Sequence, residues 1–413
     1  MKSIAASIAV IGGGITGVTT AYALAKRGFT VTLFEKNRYA AMETSFANGG
    51  QLSASNAEVW NHWSTILKGA KWMLKSDAPL LVNPKPSWHK LSWFAEFISN
   101  IPHYERNTIA TTRLAIAARE HLFAWAQAEG VDFDLKKEGI LHIYRDKQGF
   151  DHAGKVSKML AKGGLPRRAV TPAEMKVIEP TLAGQYYGGY FTESDSTGDI
   201  HKFTTGIAKA AERMGVQCLY EQDVKALHSD GSHAEVTVAE GDGEVTHRFD
   251  GLVVCAGVES RNFAAQLGDR VNIYPVKGYS ITVNLPDEHS QAAAPIVSLL
   301  DDATKLVTSR LGVDRFRVAG TAEFNGYNKD IRADRIRPLV EWVNQCFPGV
   351  NTRHVVPWAG LRPMLPNMMP RVGRGNAANV FYNTGHGHLG WTLSAVTADM
   401  VAQVVAERGV RPA

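Results

Sequence analysis

The chain has 413 residues, 45% of them hydrophobic and 21% charged, with a formal net charge of +5. That length suggests two or three domains, and the composition excludes a disordered chain. The small positive excess is spread along the sequence, which argues against nucleic acid and leaves room for an anionic substrate or an anionic membrane surface.

Lys2 and the apolar residues after it have the outline of a short signal peptide. The stretch runs directly into a glycine-rich turn, however, so residues 8–11 are read as a buried parallel strand. A helix follows, with Ile15, Val18, Tyr22 and Ala25 at helical spacing. Gly28 closes it, and residues 29–35 give a second strand. Residues 57–105 hold five of the nine tryptophans (Trp60, Trp63, Trp72, Trp88 and Trp93), interleaved with Lys68, Lys71, Lys75, Lys85 and Lys90. Pro79, Pro84 and Pro86 divide this segment into two helical pieces. Residues 106–165 read as mainly helical, ending in a strand at 140–144. A helix is expected at 200–215, then strands near 216–220, 234–238, 246–249 and 252–255, and a strand-rich stretch at 271–325. The tail from Asn379 gives a strand, a Gly/His turn and a last helix. No uninterrupted apolar run reaches the ~18 residues of a spanning helix. Cys218, Cys255 and Cys346 form no CxxC or metal-ligand spacing, so a reducing, cytoplasmic compartment is expected.

The turn Gly12-Gly13-Gly14-Ile15-Thr16-Gly17 follows a strand and opens a helix, and Glu35 lies eighteen residues past Gly17. That context makes it a dinucleotide fingerprint. Gly12 allows the tight turn, Gly14 the approach of a pyrophosphate and Gly17 close helix–strand packing. Glu35 would accept from ribose hydroxyls. A plain NAD domain would continue with βα repeats. Here a long helical excursion intervenes, and sheet pattern returns near 216 and again near 380. Gly385, Gly387 and Gly390 form a second backbone-donor turn ahead of a helix starting near Thr392. His386 and His388 within it lack a third ligand nearby, so no metal is expected.

Five segments carry a resemblance: Glu43-Thr-Ser-Phe-Ala-Asn-Gly-Gly-Gln51, Ser196-Thr-Gly-Asp199, Tyr274-Pro-Val-Lys-Gly-Tyr-Ser280, Trp358-Ala-Gly-Leu-Arg-Pro363 and Asn383-Thr-Gly-His-Gly-His-Leu-Gly-Trp391. With these the chain resembles the FAD-dependent D-amino acid oxidase and glycine oxidase superfamily, and within it the bacterial D-amino acid dehydrogenases. The resemblance implies FAD, and the absence of Cys near Arg362 and of His at residues 46–48 implies that it is held non-covalently. Implied contacts are Gly12, Gly14, Ile15, Thr16, Gly17, Glu35 and Lys36, then Thr44, Ser45, Asn48, Gly49 and Gln51 under the flavin. Val224 would reach the adenine, with Ala256 and Gly257 beside the dinucleotide. Gly385, His386, Gly387, His388, Gly390, Trp391 and Thr392 would face the pyrimidine edge of the ring.

Arg362 precedes a proline, and its guanidinium suits a carboxylate. The resemblance places it where these enzymes hold the substrate α-carboxylate. Arg310, near the flavin, and Tyr279 are weaker candidates for the catalytic site; Tyr279, His201 and Tyr327 have the chemistry to reach the amine or the carboxylate, though each is more in keeping with a structural role. The fold class expected is α/β: a discontinuous Rossmann-like FAD-binding domain (1–57, 197–270, 375–413) with a second α+β substrate domain (58–196, 271–374). The implied reaction is oxidative deamination of a D-amino acid, a neutral amine giving hydride to flavin N5, with electrons passing to a membrane quinone or another non-oxygen acceptor. Rival readings are an oxidase or dehydrogenase of glycine, sarcosine or a cyclic imino acid such as D-hydroxyproline, and a flavin-carrying subunit with no substrate site of its own. The Trp/Lys segment 57–105 reads either as packed helices with lysines on the wet face or as a peripheral contact with the inner face of the bacterial membrane.

Overall fold

The computed structural model describes residues 6–72, 78–241, 243–407 and 410. Residues 1–5, the start of the signal-like stretch, lie outside them. A six-stranded sheet forms around Ser7–Ile11, whose Ile8, Ala9 and Val10 are fully buried. Burial on both faces is why this strand is a continuous apolar run. Thr30–Phe34 and Gly251–Val254 pair with it in parallel on either side. Gln217–Leu219 extends the sheet beyond the first and Val380–Thr384 beyond the second, both in parallel. Arg371–Arg374 adds an antiparallel edge to Val380–Thr384. The boundary expected at 375 is therefore too late, since this strand belongs to the first sheet.

Helices Ile15–Lys26, Ile200–Arg213 and Gly390–Glu407 cover one face, sharing a core of Val18, Tyr22, Phe203, Ala395 and Val401. The segment Gly387–Glu407 has the length and mean hydropathy, 1.3, of a spanning helix, but 67% of that window is buried inside the protein. It is apolar because it is core. The other face is covered by an antiparallel sheet, Val224–Ser229, Ala234–Glu240 and Gly243–Phe249, through Leu227, Val236 and Val238.

A second, nine-stranded sheet runs Val355–Met364, Tyr274–Asn284, Arg315–Phe324, Leu306–Leu311, Ser298–Asp301, Ile140–Tyr144, Gly188–Thr192, Arg168–Val170. Leu80–Val82 joins Arg315–Phe324 in parallel. Behind it, helix Ala333–Cys346 buries Leu339, Trp342 and Val343 against Ile281, Phe316 and Val318. Two elements depart from the sequence reading. Leu80–Val82 is a strand between the helices Trp63–Trp72 and Trp88–Ser99, too short to show alternation. Ile140–Tyr144 does not end the helical stretch but precedes a further helix, Lys147–Lys162.

The tryptophans of segment 57–105 divide. Trp93 is core, stacked on Phe97 at 5.3 Å, and its Nε1 donates to the Met364 carbonyl at 2.8 Å. Trp63 and Trp88 are 58% and 81% exposed. Lys90 is not on a wet face: it is buried and donates to the Asn83 and Lys85 carbonyls. Lys75, and the side chains of Lys68, Lys71 and Trp72, lie outside the described residues.

Candidate functional site

A cavity of about 800 Å³ is walled by strand ends of the six-stranded sheet and by one face of the nine-stranded sheet. The wall includes every residue named above for cofactor contact except Gly17. Gly17 stands behind it. A Cβ there would lie 1.8 Å from the Gly12 carbonyl oxygen, so its role is helix–strand packing. Gly12 adopts φ +106°, where a side chain would also strike the Cys255 carbonyl at 2.8 Å.

Helix Ile15–Lys26 starts at Gly14 with no side-chain cap and no acid in its first turn. Helix Gly390–Glu407 also opens on the cavity with no acid in its first turn. Two positive helix ends thus meet in one cavity, an arrangement that attracts anionic oxygens. Ser45 Oγ accepts from the Ile15 amide at 3.0 Å. Glu35 fixes the turn from the second strand: Oε2 accepts from the Gly13 amide at 2.6 Å and Oε1 from the Asn37 amide at 2.8 Å.

The loop after the second strand is pinned to the nine-stranded sheet. Thr44 Oγ1 donates to the Leu361 carbonyl at 2.8 Å, and Gln51 Nε2 to Ser298 Oγ at 2.7 Å and the Leu299 carbonyl at 3.0 Å. Further along, buried Asp195 accepts from the Ala54 and Ser55 amides and from Arg119 Nη2. Among the described residues, five that border the cavity carry a buried side-chain polar atom without a partner: Gln51 Oε1, Arg167 Nε, Thr321 Oγ1, His388 Nδ1 and Trp391 Nε1. Each such atom costs about 1–3 kcal/mol unless something satisfies it. Together with the two helix ends, they fit a large polar and anionic ligand such as a flavin dinucleotide.

Arg362 sits on Val355–Met364, opposite Val276. Its Nη1 donates to the Thr321 carbonyl at 2.7 Å, and Nη2 makes a long contact of 3.5 Å with that of Gly320. Burial pushes its pKa down to about 10, and among the described residues no carboxylate offsets that shift. A desolvated cation without a counter-charge favours an anionic ligand. Tyr279 turns away from the cavity: its ring belongs to the core behind the nine-stranded sheet with Ile281, Leu339 and Val343, 5.9 Å from the Arg335 guanidinium, and its hydroxyl donates to Glu323 Oε2 at 2.7 Å. Burial, reinforced by that carboxylate, raises its pKa, so the phenol stays protonated. Glu323 in turn pairs with buried Lys277 at 3.3 Å.

Arg310 is a correction. It is not in the wall; its Nη1 donates to the Gln291 and Ala294 carbonyls at 3.0 and 3.3 Å, and its Nη2 to that of Val313 at 2.8 Å. Side chains alternate faces along a strand, and Val307 of the same strand reaches the cavity, so Arg310 three positions on points away. His201 lies outside the wall, edge-on to Tyr39 and Phe46, whereas Tyr327 borders it. His386 Nε2 bonds Thr397 Oγ1 at 2.9 Å, and burial pushes its pKa down to about 3. His388 stacks on Trp60 at 5.0 Å, and its Nε2 donates to the Asn56 carbonyl at 3.2 Å. Sequence reasoning missed the carbonyls of Gly320 and Thr321 that hold Arg362. The only trace of them was a run of small residues, Ala319-Gly320-Thr321-Ala322, inside a strand.

Residues 7–404 match the family described as FAD dependent oxidoreductase (DAO). The D-amino acid dehydrogenase 3 of Mesorhizobium japonicum is 64% identical over 399 residues, 97% of this chain and 97% of that protein. The D-amino acid dehydrogenase of Paramagnetospirillum magneticum is 40% identical over 412 residues, 97% of this chain and 95% of that protein. Among solved structures, glycine oxidase from Geobacillus kaustophilus matches with a TM-score of 0.74 at 20% identity, covering 97% of this chain and 95% of that one. At that identity the likeness concerns the fold.

Proposed function

The chain belongs to the FAD dependent oxidoreductase family, and on that premise we propose that it oxidatively deaminates D-amino acids to 2-oxo acids and ammonia. The observation that carries this is Arg362: a half-buried guanidinium in the cavity wall, held by the Thr321 carbonyl and offset by no carboxylate among the described residues. A carboxylate from the substrate supplies the missing charge, and the fork of N–H groups fixes its orientation.

The cofactor is FAD, held non-covalently. Backbone around Gly12, Gly14, Ile15 and Thr16 takes the diphosphate at the helix end, Glu35 the ribose and Val224 the adenine. Residues 44–51 and 385–392 hold the flavin ring between them, and their orphan atoms Gln51 Oε1, His388 Nδ1 and Trp391 Nε1 become satisfied. When bound, FAD supplies the two-electron acceptor for oxidation at the substrate Cα. Arg362 orients that Cα and the cavity wall excludes water while the amine becomes an imine. Two electrons and two protons leave the amino acid, and water then hydrolyses the imino acid to the 2-oxo acid and ammonia.

Among the described residues, those up to 57, those of 197–270 and those from Arg371 onward form the FAD domain, and the others the substrate domain. Electrons leave to a quinone. Exposed Trp63 and Leu67 on one helix and Trp88 and Leu91 on another supply a contact with the inner face of the membrane.

Anaerobic bleaching of the flavin by a panel of D- and L-amino acids tests the reading. We expect bleaching by D-isomers, and by none of them once Arg362→Ala is introduced. Bleaching by L-isomers alone refutes the stereochemistry, and unchanged bleaching in Arg362→Ala refutes the role of Arg362. Peroxide formed in air at the turnover rate would make the enzyme an oxidase.

A further inference from the structure

We infer that Thr321 is a second substrate-binding residue, its hydroxyl donating a hydrogen bond to the carboxylate that Arg362 holds. This rests on the D-amino acid reading above. Strand Arg315–Phe324 pairs with Tyr274–Asn284 so that Lys277 faces Glu323 and Tyr279 faces Gly320. One extra residue therefore lies opposite Gly278, which is a β-bulge. Within it Thr321 adopts φ +56°. That region strongly disfavours a β-branched side chain, and strain of this kind persists where the surroundings enforce it.

The bulge brings the Gly320 and Thr321 carbonyls to Arg362. That task belongs to the backbone, and glycine or asparagine would hold the same φ at lower cost. Threonine at this position therefore needs an explanation in its side chain. Thr321 borders the cavity, and its Oγ1 is buried and bonds nothing, although hydroxyls so placed nearly always find a partner.

The partner follows from the neighbour. Arg362 uses one strong N–H on the Thr321 carbonyl and keeps others for a ligand. A carboxylate offers about four acceptor sites, of which a guanidinium fork takes two. One of the rest can accept from Oγ1, and a hydrogen bond to an ionised acceptor is stronger than a neutral one.

The test uses FAD-loaded enzyme, with pyruvate as the 2-oxo acid probe. Its dissociation constant is measured by calorimetry beside KM and kcat for D-alanine, in the parent, Thr321→Ser and Thr321→Gly. In Thr321→Gly, pyruvate binding should weaken and KM rise about tenfold, the loss of one charge-assisted hydrogen bond, with kcat nearly unchanged. Because glycine relieves the positive φ, that variant should also unfold at a higher temperature, which separates lost binding from lost fold. Thr321→Ser should bind like the parent. Pyruvate binding in Thr321→Gly as tight as in the parent, or a loss in Thr321→Ser equal to that in Thr321→Gly, overturns the inference. A parent enzyme that no D-amino acid reduces overturns the functional reading itself, and this inference with it.

Discussion

Gly278 lies so close to Arg362 that a Cβ built on it would stand 2.3 Å from the guanidinium Nη2. The guanidinium crosses the neighbouring strand where no side chain intervenes, and the Thr321 carbonyl holds its far side at 2.7 Å. The space left by one missing methyl group thus sets where a substrate carboxylate is gripped.

Gly278→Ala should therefore displace Arg362 without removing its charge. Misplacing an orienting group by an ångström costs about 100-fold, so kcat/KM for a D-amino acid should fall by about that factor. FAD content, read from the visible spectrum, should stay at the parent level. A variant with parental kcat/KM would mean that Arg362 has other room to lie in.

Glu35 ties the fingerprint turn together through the Gly13 amide at 2.6 Å and the Asn37 amide at 2.8 Å. Glu35→Ala leaves both donors unsatisfied and removes the ribose acceptor. FAD should bind at least about tenfold more weakly, since a hydrogen bond to a charged group is worth about 1.5 kcal/mol or more. Fluorescence of FAD released on dilution measures this directly. Retention equal to the parent would show that the acid serves neither the turn nor the nucleotide.

The parts legible in the sequence are those governed by neighbours along the chain. The turn at Gly12–Gly17 could be read because a strand, positive-φ glycine and helix start follow one another within a few residues. The boundary near 371 could not, because Arg371–Arg374 is placed by its pairing with Val380–Thr384. Arg310 misled for a similar reason. A charged residue near a functional motif says nothing of which face of its strand it occupies, and here the face turns it toward the carbonyls of Gln291, Ala294 and Val313. The bulge at Thr321 depends on register between strands some forty residues apart in sequence, which no local pattern encodes. Arg362 was found through a motif resemblance, and its carbonyl supports only through the structure.

Trp63, Leu67, Trp88 and Leu91 expose 58%, 66%, 81% and 54% of their surface. Their helices flank one aromatic core, since Ile66 of the first and Phe94 of the second pack against the cluster that contains Trp93. Substituting Leu67 and Trp88 together by Glu should weaken co-sedimentation with vesicles of anionic phospholipid. Removing that much apolar insertion should cost more than about tenfold in partitioning. Activity with a soluble dye should be untouched. Equal sedimentation of parent and variant would leave these side chains with no membrane role.

His386 gives the protein a defined sensitivity to acid. Burial holds its pKa down to about 3, whereas the unfolded chain presents a histidine near 6.5. Between those values the unfolded state takes up a proton that the folded state refuses, so stability present above about pH 6.5 is lost as pH falls toward 3, at up to about 1.4 kcal/mol per pH unit. His386→Gln keeps a polar partner for Thr397 Oγ1, which the ring now contacts at 2.9 Å, but cannot titrate. Denaturant unfolding at several pH values between 4.5 and 6.5 should give a shallower slope for His386→Gln by close to one proton. Parallel slopes would mean that the ring is protonated, or reached by water, in the folded protein.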